Sequence, residues 1–422
     1  MKPHVTILGK TVKKLAELRG GGSALPGLFV EKIDPDFIKR TLAQLPHGVV
    51  LVSGTNGKTT TTKMVVELLE SQGLRVFTNR TGSNFTRGVA AALLGEVDAR
   101  GNLAADIAVL ELDEAHAVHF VKAIKPRYSL LLNVMRDQLD RFGEIDATAK
   151  LLQVVAAATS EKIIINREDS RLLSLSESLP AQKVSFFGLN PKLQTMFPAD
   201  DDMRGGKKRA SKQPPTASVL LDSFTHPKAT FQLGSKLVST DLKLEGVYNV
   251  FNAAAALATV VAVVETVDVE TLIAALSQVT PAFGRGETIV VNGQPVELVL
   301  VKNPAGFRLG LKSFPADGYA TMIAINDNYA DGRDMSWLWD VDFDSLKATG
   351  VSSVTGVRAW DMALRLQYEE IEVSHVSTDL KKSLKAFIAK EASTPKRIYC
   401  SYTAMLAIRR QLGKIANVET VS

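Results

Sequence analysis

The stretch Val49-Val50-Leu51-Val52-Ser53-Gly54-Thr55-Asn56-Gly57-Lys58-Thr59-Thr60-Thr61-Thr62 restricts what this chain can become more than any other. An apolar run of strand character breaks at Ser53, passes two glycines and resumes as a helix through Lys63-Met64-Val65-Val66-Glu67-Leu68-Leu69. Strand, glycine loop and helix N-terminus in that order make a place where backbone N–H groups meet phosphate oxygens. Gly54 and Gly57 let the backbone approach without a Cβ in the way. Lys58 is expected on the β- and γ-phosphates, and the hydroxyl of Thr59 or Thr60 on Mg²⁺. The strict pattern wants a first glycine where this chain has Val52, but the shorter Gly54–Thr60 form is intact. It predicts an ATP-binding loop.

With 422 residues the chain has room for two or three domains with sizeable cores. No apolar run approaches a membrane span, and the first twenty residues lack the apolar core of a signal peptide. A single cysteine, Cys400, excludes an intramolecular disulfide and a cysteine-cluster metal site, and the cytoplasm is the expected compartment. The formal charge of +5 is local: Arg204, Lys207, Lys208, Arg209 and Lys212 fall in one stretch without an acid. With no aromatic interleaving, that run does not point to nucleic acid.

Residues 1–45 read as an N-terminal helical segment, with Val12, Leu15 and Leu18 between Lys13, Lys14 and Arg19, packed on the first domain. Strand and helix then alternate. Strands are expected at Arg75–Asn79, Asp106–Leu112, Tyr128–Val134 and Lys162–Asn166, with helices starting at Thr86, near Ala115 and at Ala147. Near-continuous apolar strands separated by helices predict a mostly parallel sheet covered on both faces. Between 167 and 240 the rhythm changes, and 198–215 reads as a disordered loop or an exposed hairpin tip. An alanine-rich helix opens at Gly246. Near Phe283-Gly284-Arg285-Gly286-Glu287 the chain enters a second α/β unit, with strands at Pro295–Val301, Ala320–Asn326, Ser353–Thr355 and Arg397–Tyr399.

Three groups make sense beside the phosphate loop. Glu111 closes a buried strand at its carboxyl end, where open α/β sheets bind ligands, and a carboxylate there suits Mg²⁺. Asn133 to Gly143 packs several charges after the next strand; they either pair among themselves or face the nucleotide. Asn326-Asp327-Asn328-Tyr329-Ala330-Asp331-Gly332-Arg333-Asp334 carries more polar groups than a turn requires. His116 and His119 sit three apart on a helix without a third ligand, which reads as an exposed face.

Six strings carry a family resemblance: Gly54–Thr60, Glu111-Leu112-Asp113-Glu114, Arg136–Asp146, Tyr248-Asn249 with Asn252, Lys302-Asn303-Pro304-Ala305-Gly306, and Asn326-Asp327-Asn328 through Asp331-Gly332-Arg333-Asp334-Met335-Ser336-Trp337. With them the chain resembles the Mur ligases, and among these the MurT type. The resemblance implies an α/β fold in which a central P-loop ATPase domain with a mostly parallel sheet (46–286) precedes a Rossmann-like C-terminal domain (287–422), with no room for the large N-terminal UDP-binding domain of other members. It implies ATP-driven amidation of the D-glutamate α-carboxyl of the lipid II stem peptide to D-isoglutamine, at the inner face of the cell membrane. Ammonia would come from a separate glutaminase, GatD.

By position, Gly54, Thr55, Asn56, Gly57, Lys58, Thr59 and Thr60 would hold ATP, and Thr59 and Glu111 would hold Mg²⁺. Asn249 and Asn252 would approach the adenine, and Arg285 the phosphates or the domain seam. Lys302, Asn303, Asn328 and Asp331 would bind substrate, and Asp334 is the acid expected at the amidation site, beside Lys58 and Glu111 in catalysis. The type often carries a four-cysteine zinc ribbon between 167 and 240. This chain has no cysteine there, so no zinc is expected. A ligase adding a free amino acid and a non-catalytic nucleotide-binding scaffold for a glutaminase are the alternatives.

Overall fold

The fully apolar run Val49–Ser53 is buried along its whole length, as a strand covered on both faces must be. It forms the centre of the first of two sheets. The computed structural model describes residues 9–13, 25–79, 86–135, 145–197, 214–244, 246–280, 285–390 and 393–418, without the side chains of Leu25, Thr195 and Arg285. The Arg136–Glu144 part of the charged string, the basic run at 204–212 and most of 198–215 therefore lie outside the described residues, as do Leu15 and Leu18.

In chain order the first body contains α1 (Leu25–Ile33), α2 (Phe37–Leu42), β1 (Val49–Ser53), α3 (Lys58–Ser71), β2 (Val76–Thr78), α4 (Thr86–Glu96), β3 (Ile107–Glu111), α5 (Glu114–Ala123), β4 (Tyr128–Leu131) and α6 (Ile145–Ala158). It continues with β5 (Lys162–Asn166), α7 (Ser170–Ser176), β6 (Val184–Leu189), β7 (Val219–Thr225), β8 (Lys228–Leu233), β9 (Lys236–Asp241), α8 (Val247–Val263) and α9 (Val269–Gln278). The strands lie in the order β2-β3-β1-β4-β5-β6-β7-β8-β9, parallel up to β7. Successive residues of β1 serve opposite cores, as the two-residue period of a strand requires. Val50 and Val52 face α3 and α8, with Met64, Leu68 and Ala254, while Val49 and Leu51 face Leu94, Phe120 and Leu152. The small faces of Ala253 to Ala256, all fully buried, let α8 lie close along α3.

At the N-terminus the 9–13 turn packs on the first body, with Gly9 against Leu94 and Val30. The 167–240 region continues the first sheet. Its strands β6 to β9 extend the same sheet, β6 parallel to β5 and β7–β8–β9 as antiparallel hairpins. The half-buried β6 carries Ser185 among its apolar residues, which blurs the strand signal.

The second body runs β10 (Arg285–Val291), β11 (Gln294–Leu300), α10 (Pro304–Ser313), β12 (Ala320–Ala324), β13 (Ser353–Thr355), α11 (Ala359–Tyr368), β14 (Val376–Ser377), α12 (Leu380–Ala389), β15 (Lys396–Cys400) and α13 (Tyr402–Leu412). Its sheet has the order β10-β11-β15-β12-β13-β14, parallel except for β10. At the seam between the bodies Phe314 fills the space over Gly286, where a Cβ would come within 2.7 Å of its ring. No helix among the described residues is long and apolar enough to cross a membrane.

Candidate functional site

The first sheet reverses its winding at β1, which has β3 on one side and β4 on the other. The crevice beyond the carboxyl ends of such strands is where doubly wound sheets bind ligands, and the 54–57 loop leaves β1 there. Gly57 has a φ of 85°, and a Cβ on it would meet the carboxamide of Asn252 at 2.8 Å. Asn252, on α8, thus closes directly over the loop. Asn133, past β4, braces the loop from the other side. Its Oδ1 accepts from Asn56 N at 2.8 Å, and its Nδ2 donates to Asn56 O at 3.0 Å.

Lys58 opens α3 and is buried. Its ammonium donates to Gly54 O at 2.6 Å and pairs with Asp113 Oδ1 at 2.9 Å; Glu114 Oε2 lies 3.9 Å away. Burial alone pulls a lysine pKa down. Here Asp113, Glu114 and Glu111 outweigh it and hold Lys58 protonated above its ordinary value. Asp113 responds in kind: burial pushes it up, but Lys58 and then Lys302 bring it down to about 2. Glu114 also accepts from the Thr55 hydroxyl at 3.3 Å.

The Thr59 hydroxyl donates to Glu111 Oε1 at 2.9 Å, which joins the two residues expected to share a metal. Glu111 is held by its backbone, because the Asn79 carboxamide accepts from its N–H at 3.0 Å and donates to its C=O at 2.9 Å. Thr60 is buried and its hydroxyl has no partner among the described residues. Among the described residues, three carboxylates stand against Lys58 and Lys302 in the crevice, more negative than positive charge. A polyphosphate entering it needs a further cation, and the hard oxygens of Thr59 and Glu111 suit Mg²⁺. His116 and His119 lie on an exposed face of α5, and no cluster of His, Cys, Asp and Glu suited to a metal occurs among the described residues.

The second body reaches the loop through α10. Asn303 is fully buried as the N-cap of that helix, accepting from Gly306 N at 2.6 Å. Its Nδ2 donates to Asn56 Oδ1 at 3.3 Å. Lys302 and Asn303 thus stand beside the phosphate loop. Asn328, Asp331 and Asp334 gather instead at the carboxyl ends of β12 and β15, neighbours in the second sheet. Asp331 is buried in that loop, whereas Asp334 is half-buried and accepts from Ser336 N at 2.9 Å. Asn249 and Asn252 share the first turns of α8, and the Arg285 backbone opens β10.

The sequence did not point to Asn79 or Thr403 as site residues, and Asn133 entered only as the first residue of the charged string. Each acts on a loop far from it in the chain, and only the strand order brings them together. Asp113 stood in a matching string, but its ion pair with Lys58 was not foreseen.

Comparison with known proteins identifies both bodies. Residues 52–260 match the Mur ligase middle domain and residues 300–405 the MurT ligase C-terminal domain. The chain is 28% identical over 428 residues to the lipid II isoglutaminyl synthase (glutamine-hydrolyzing) subunit MurT of Streptococcus pneumoniae, covering 93% of each. It is 27% identical over 398 residues to the subunit of the same name from Staphylococcus aureus, covering 87% of each. Among solved structures it superposes on a pseudomurein peptide ligase type C from Methanothermus fervidus with a TM-score of 0.68 at 17% identity, over 90% of this chain and 81% of that one. MurF ligase from Thermotoga maritima, solved in complex with ADP, gives a TM-score of 0.64 at 19% identity, over 90% of this chain and 83% of that one.

Proposed function

Because the chain belongs to the Mur ligase family and carries a MurT-type C-terminal domain, we propose that it is the synthetase subunit of a lipid II isoglutaminyl synthase. It amidates the D-glutamate α-carboxyl of the stem peptide at the expense of ATP, with ammonia from a GatD-type glutaminase, at the cytoplasmic face of the membrane. The observation that carries this reading is the joining of two halves: a charged phosphate crevice on the first body, and the Lys302–Asn303 turn of the second bonded to it through Asn56.

The chemistry divides between those halves. The carboxylate oxygen attacks the γ-phosphorus of ATP, ADP leaves, and the product is an acyl-phosphate. Ammonia then attacks the acyl carbon, phosphate leaves, and one proton is lost. Lys58 and the 54–60 backbone neutralise charge on the phosphates. Thr59 and Glu111 would hold Mg²⁺, which supplies electrostatic stabilisation of the transferring phosphoryl group. Asp334, with its second carboxylate oxygen unpartnered among the described residues, receives the ammonia-derived proton. Lys302, Asn303, Asn328 and Asp331 shape the acceptor side. Closure of the two bodies keeps water from the acyl-phosphate.

Two features support an outside ammonia source. Cys400, the one cysteine, is fully buried and its thiol is pushed far up by burial, so it is no glutaminase nucleophile. Next to the 326–334 loop, Trp360, Leu364 and Tyr368 form an exposed stripe at four-residue spacing on α11, with Trp339 against the Tyr368 ring at 5.1 Å. An apolar patch of that kind suits a protein partner.

The test is the purified chain with lipid II, Mg-ATP and ammonium, with and without the glutaminase. Phosphate release matched by conversion of carboxyl to carboxamide in the stem peptide is expected. Turnover only with an added amino acid, or no turnover in any mixture, overturns the reading in favour of an amino-acid ligase or a scaffold. Asp334→Asn should abolish amidation and leave ATP affinity unchanged, and a collapse of ATP affinity would show its role to be different.

A further inference from the structure

The 326–334 loop holds the acid assigned to amidation, yet its shape is set by a residue outside it. Thr403 is the second residue of α13, after β15. Its backbone N–H donates to Asp331 Oδ1 at 2.7 Å, and its hydroxyl donates to Asp331 Oδ2. The same hydroxyl accepts from Asn326 Nδ2 at 3.0 Å and from Asn328 Nδ2 at 2.8 Å. A hydroxyl offers one donor and two acceptor sites, and all three are used here. No amide, carboxylate or aliphatic side chain of that size can replace it.

The hub has further anchors. Asn326 N donates to Ser401 Oγ at 2.9 Å, and Asn326 Oδ1 accepts from Val357 N at 3.0 Å. Asn328 N donates to the Asp331 carboxylate at 3.1 Å, and Asp331 N to Asn328 O at 2.8 Å. The Asp331 carboxylate also sits at the positive end of α13, where an anion is stabilised. The loop after β12 is thus tied at three side chains to the helix after the neighbouring strand.

We infer that Thr403 is a positioning residue for the ligation step: its hydroxyl fixes Asn326, Asn328 and Asp331, and through them the place of Asp334. This rests on the proposed role of the loop in amidation. It reassigns Asp331 from substrate contact to holding the loop, since both its oxygens are taken within the protein.

Thr403→Val keeps the shape and removes the hydroxyl, while Thr403→Ser keeps the hydroxyl. The full chain is assayed with lipid II, Mg-ATP and ammonium, and amide hydrogen exchange is followed in parallel. For Thr403→Val, kcat should fall roughly ten- to hundredfold, the scale of an ångström-level misplacement, with ATP affinity unchanged. Exchange should quicken across 326–334 and not in the 54–60 loop. Thr403→Ser should recover kcat to within about threefold of the parent, because its hydroxyl has the same donor and acceptor capacity. Unchanged exchange in 326–334 with unchanged kcat in Thr403→Val overturns the inference, as does Thr403→Ser behaving like Thr403→Val. If the parent chain itself fails to amidate, the functional reading falls, and the exchange result still decides whether Thr403 holds the loop.

Discussion

At the phosphate loop the chain folds back on itself within a few residues. Lys58 donates to Gly54 O, and Gly57 turns the chain through a left-handed conformation. At the 326–334 loop the bonds that matter reach 72 to 77 residues along the chain, to Thr403. Both loops leave the carboxyl ends of parallel strands. In the first, Lys58, Thr59 and both glycines lie in one motif, so the loop carries much of its own geometry, with Asn133 bracing Asn56 from outside it. In the second, the acids and amides are local but their arrangement is borrowed from α13. A self-contained loop should fail through its own residues, and a borrowed one through its support.

The sharpest break of that contrast is Lys58→Ala. Loss of a preorganised cation on a transferring phosphoryl group costs on the order of a hundred- to a thousandfold in rate. Phosphate release should fall by that amount in the presence of all substrates. The variant also leaves the half-buried Asp113 and the buried Glu114 without their lysine, so its urea midpoint should drop as well. A rate within tenfold of the parent would show that Lys302 or the helix terminus carries the phosphates instead.

Gly57→Ala probes the backbone rather than the charge. A residue with a Cβ in the left-handed region costs about 1–2 kcal/mol, and here that Cβ also meets Asn252 at 2.8 Å. ATP affinity should fall by about tenfold. Shortening Asn252 to Ala in the same chain should restore part of it, since it removes the clash and leaves the φ penalty. Full restoration would mean that the clash, and not the backbone angle, is what glycine avoids at this position.

The same contrast explains what the sequence made legible. The Gly54–Thr60 motif and the apolar strand before it named the phosphate loop, because the determinants are contiguous. Glu111 was legible from its place at a strand end. The parallel core strands could be read from their unbroken apolar runs, and β13 and β5 fall where they were expected. The β10–β11 hairpin was missed, although its turn carries the strongest short signal for one: Asn292-Gly293, both at positive φ. Asn79 and Thr403 were illegible, and the brace that Asn133 makes was too, for a different reason. A lone amide or hydroxyl has no periodicity, and its partner is chosen by strand order: β3 lies beside β2, β4 beside β1, and β15 beside β12.

Asn303 is where the two regions touch, and it sharpens the comparison at smaller scale. Asn303→Ala removes the N-cap of α10 together with the bond to Asn56. Cap loss costs about 1 kcal/mol of stability, readable as a lower urea midpoint. If the bodies communicate through this contact, Asn303→Ala and Asn56→Ala should be non-additive in KM for lipid II. Strict additivity would reduce Asn303 to a helix cap.

The smallest effect concerns the brace behind the phosphate loop. The Asp169 carboxylate accepts from Val134 N at 2.7 Å, next to Asn133, and from Arg171 N and Leu172 N at the start of α7. Burial raises its pKa to about 6 against those three donors. The folded carboxyl therefore keeps its proton over a range in which the unfolded one, near 3.8, has already released it. Stability owed to this group falls as pH rises from about 4 to about 6 and is level above that. Asp169 as a residue is half-buried, and the change is expected at about 1 kcal/mol. Urea unfolding of the parent and of Asp169→Asn across that range isolates it: the stability difference, parent minus variant, should shrink between pH 4 and 6. A difference that grows over the interval would mean that the three backbone donors outweigh burial, and that the loop behind Lys58 is held by a carboxylate charged throughout.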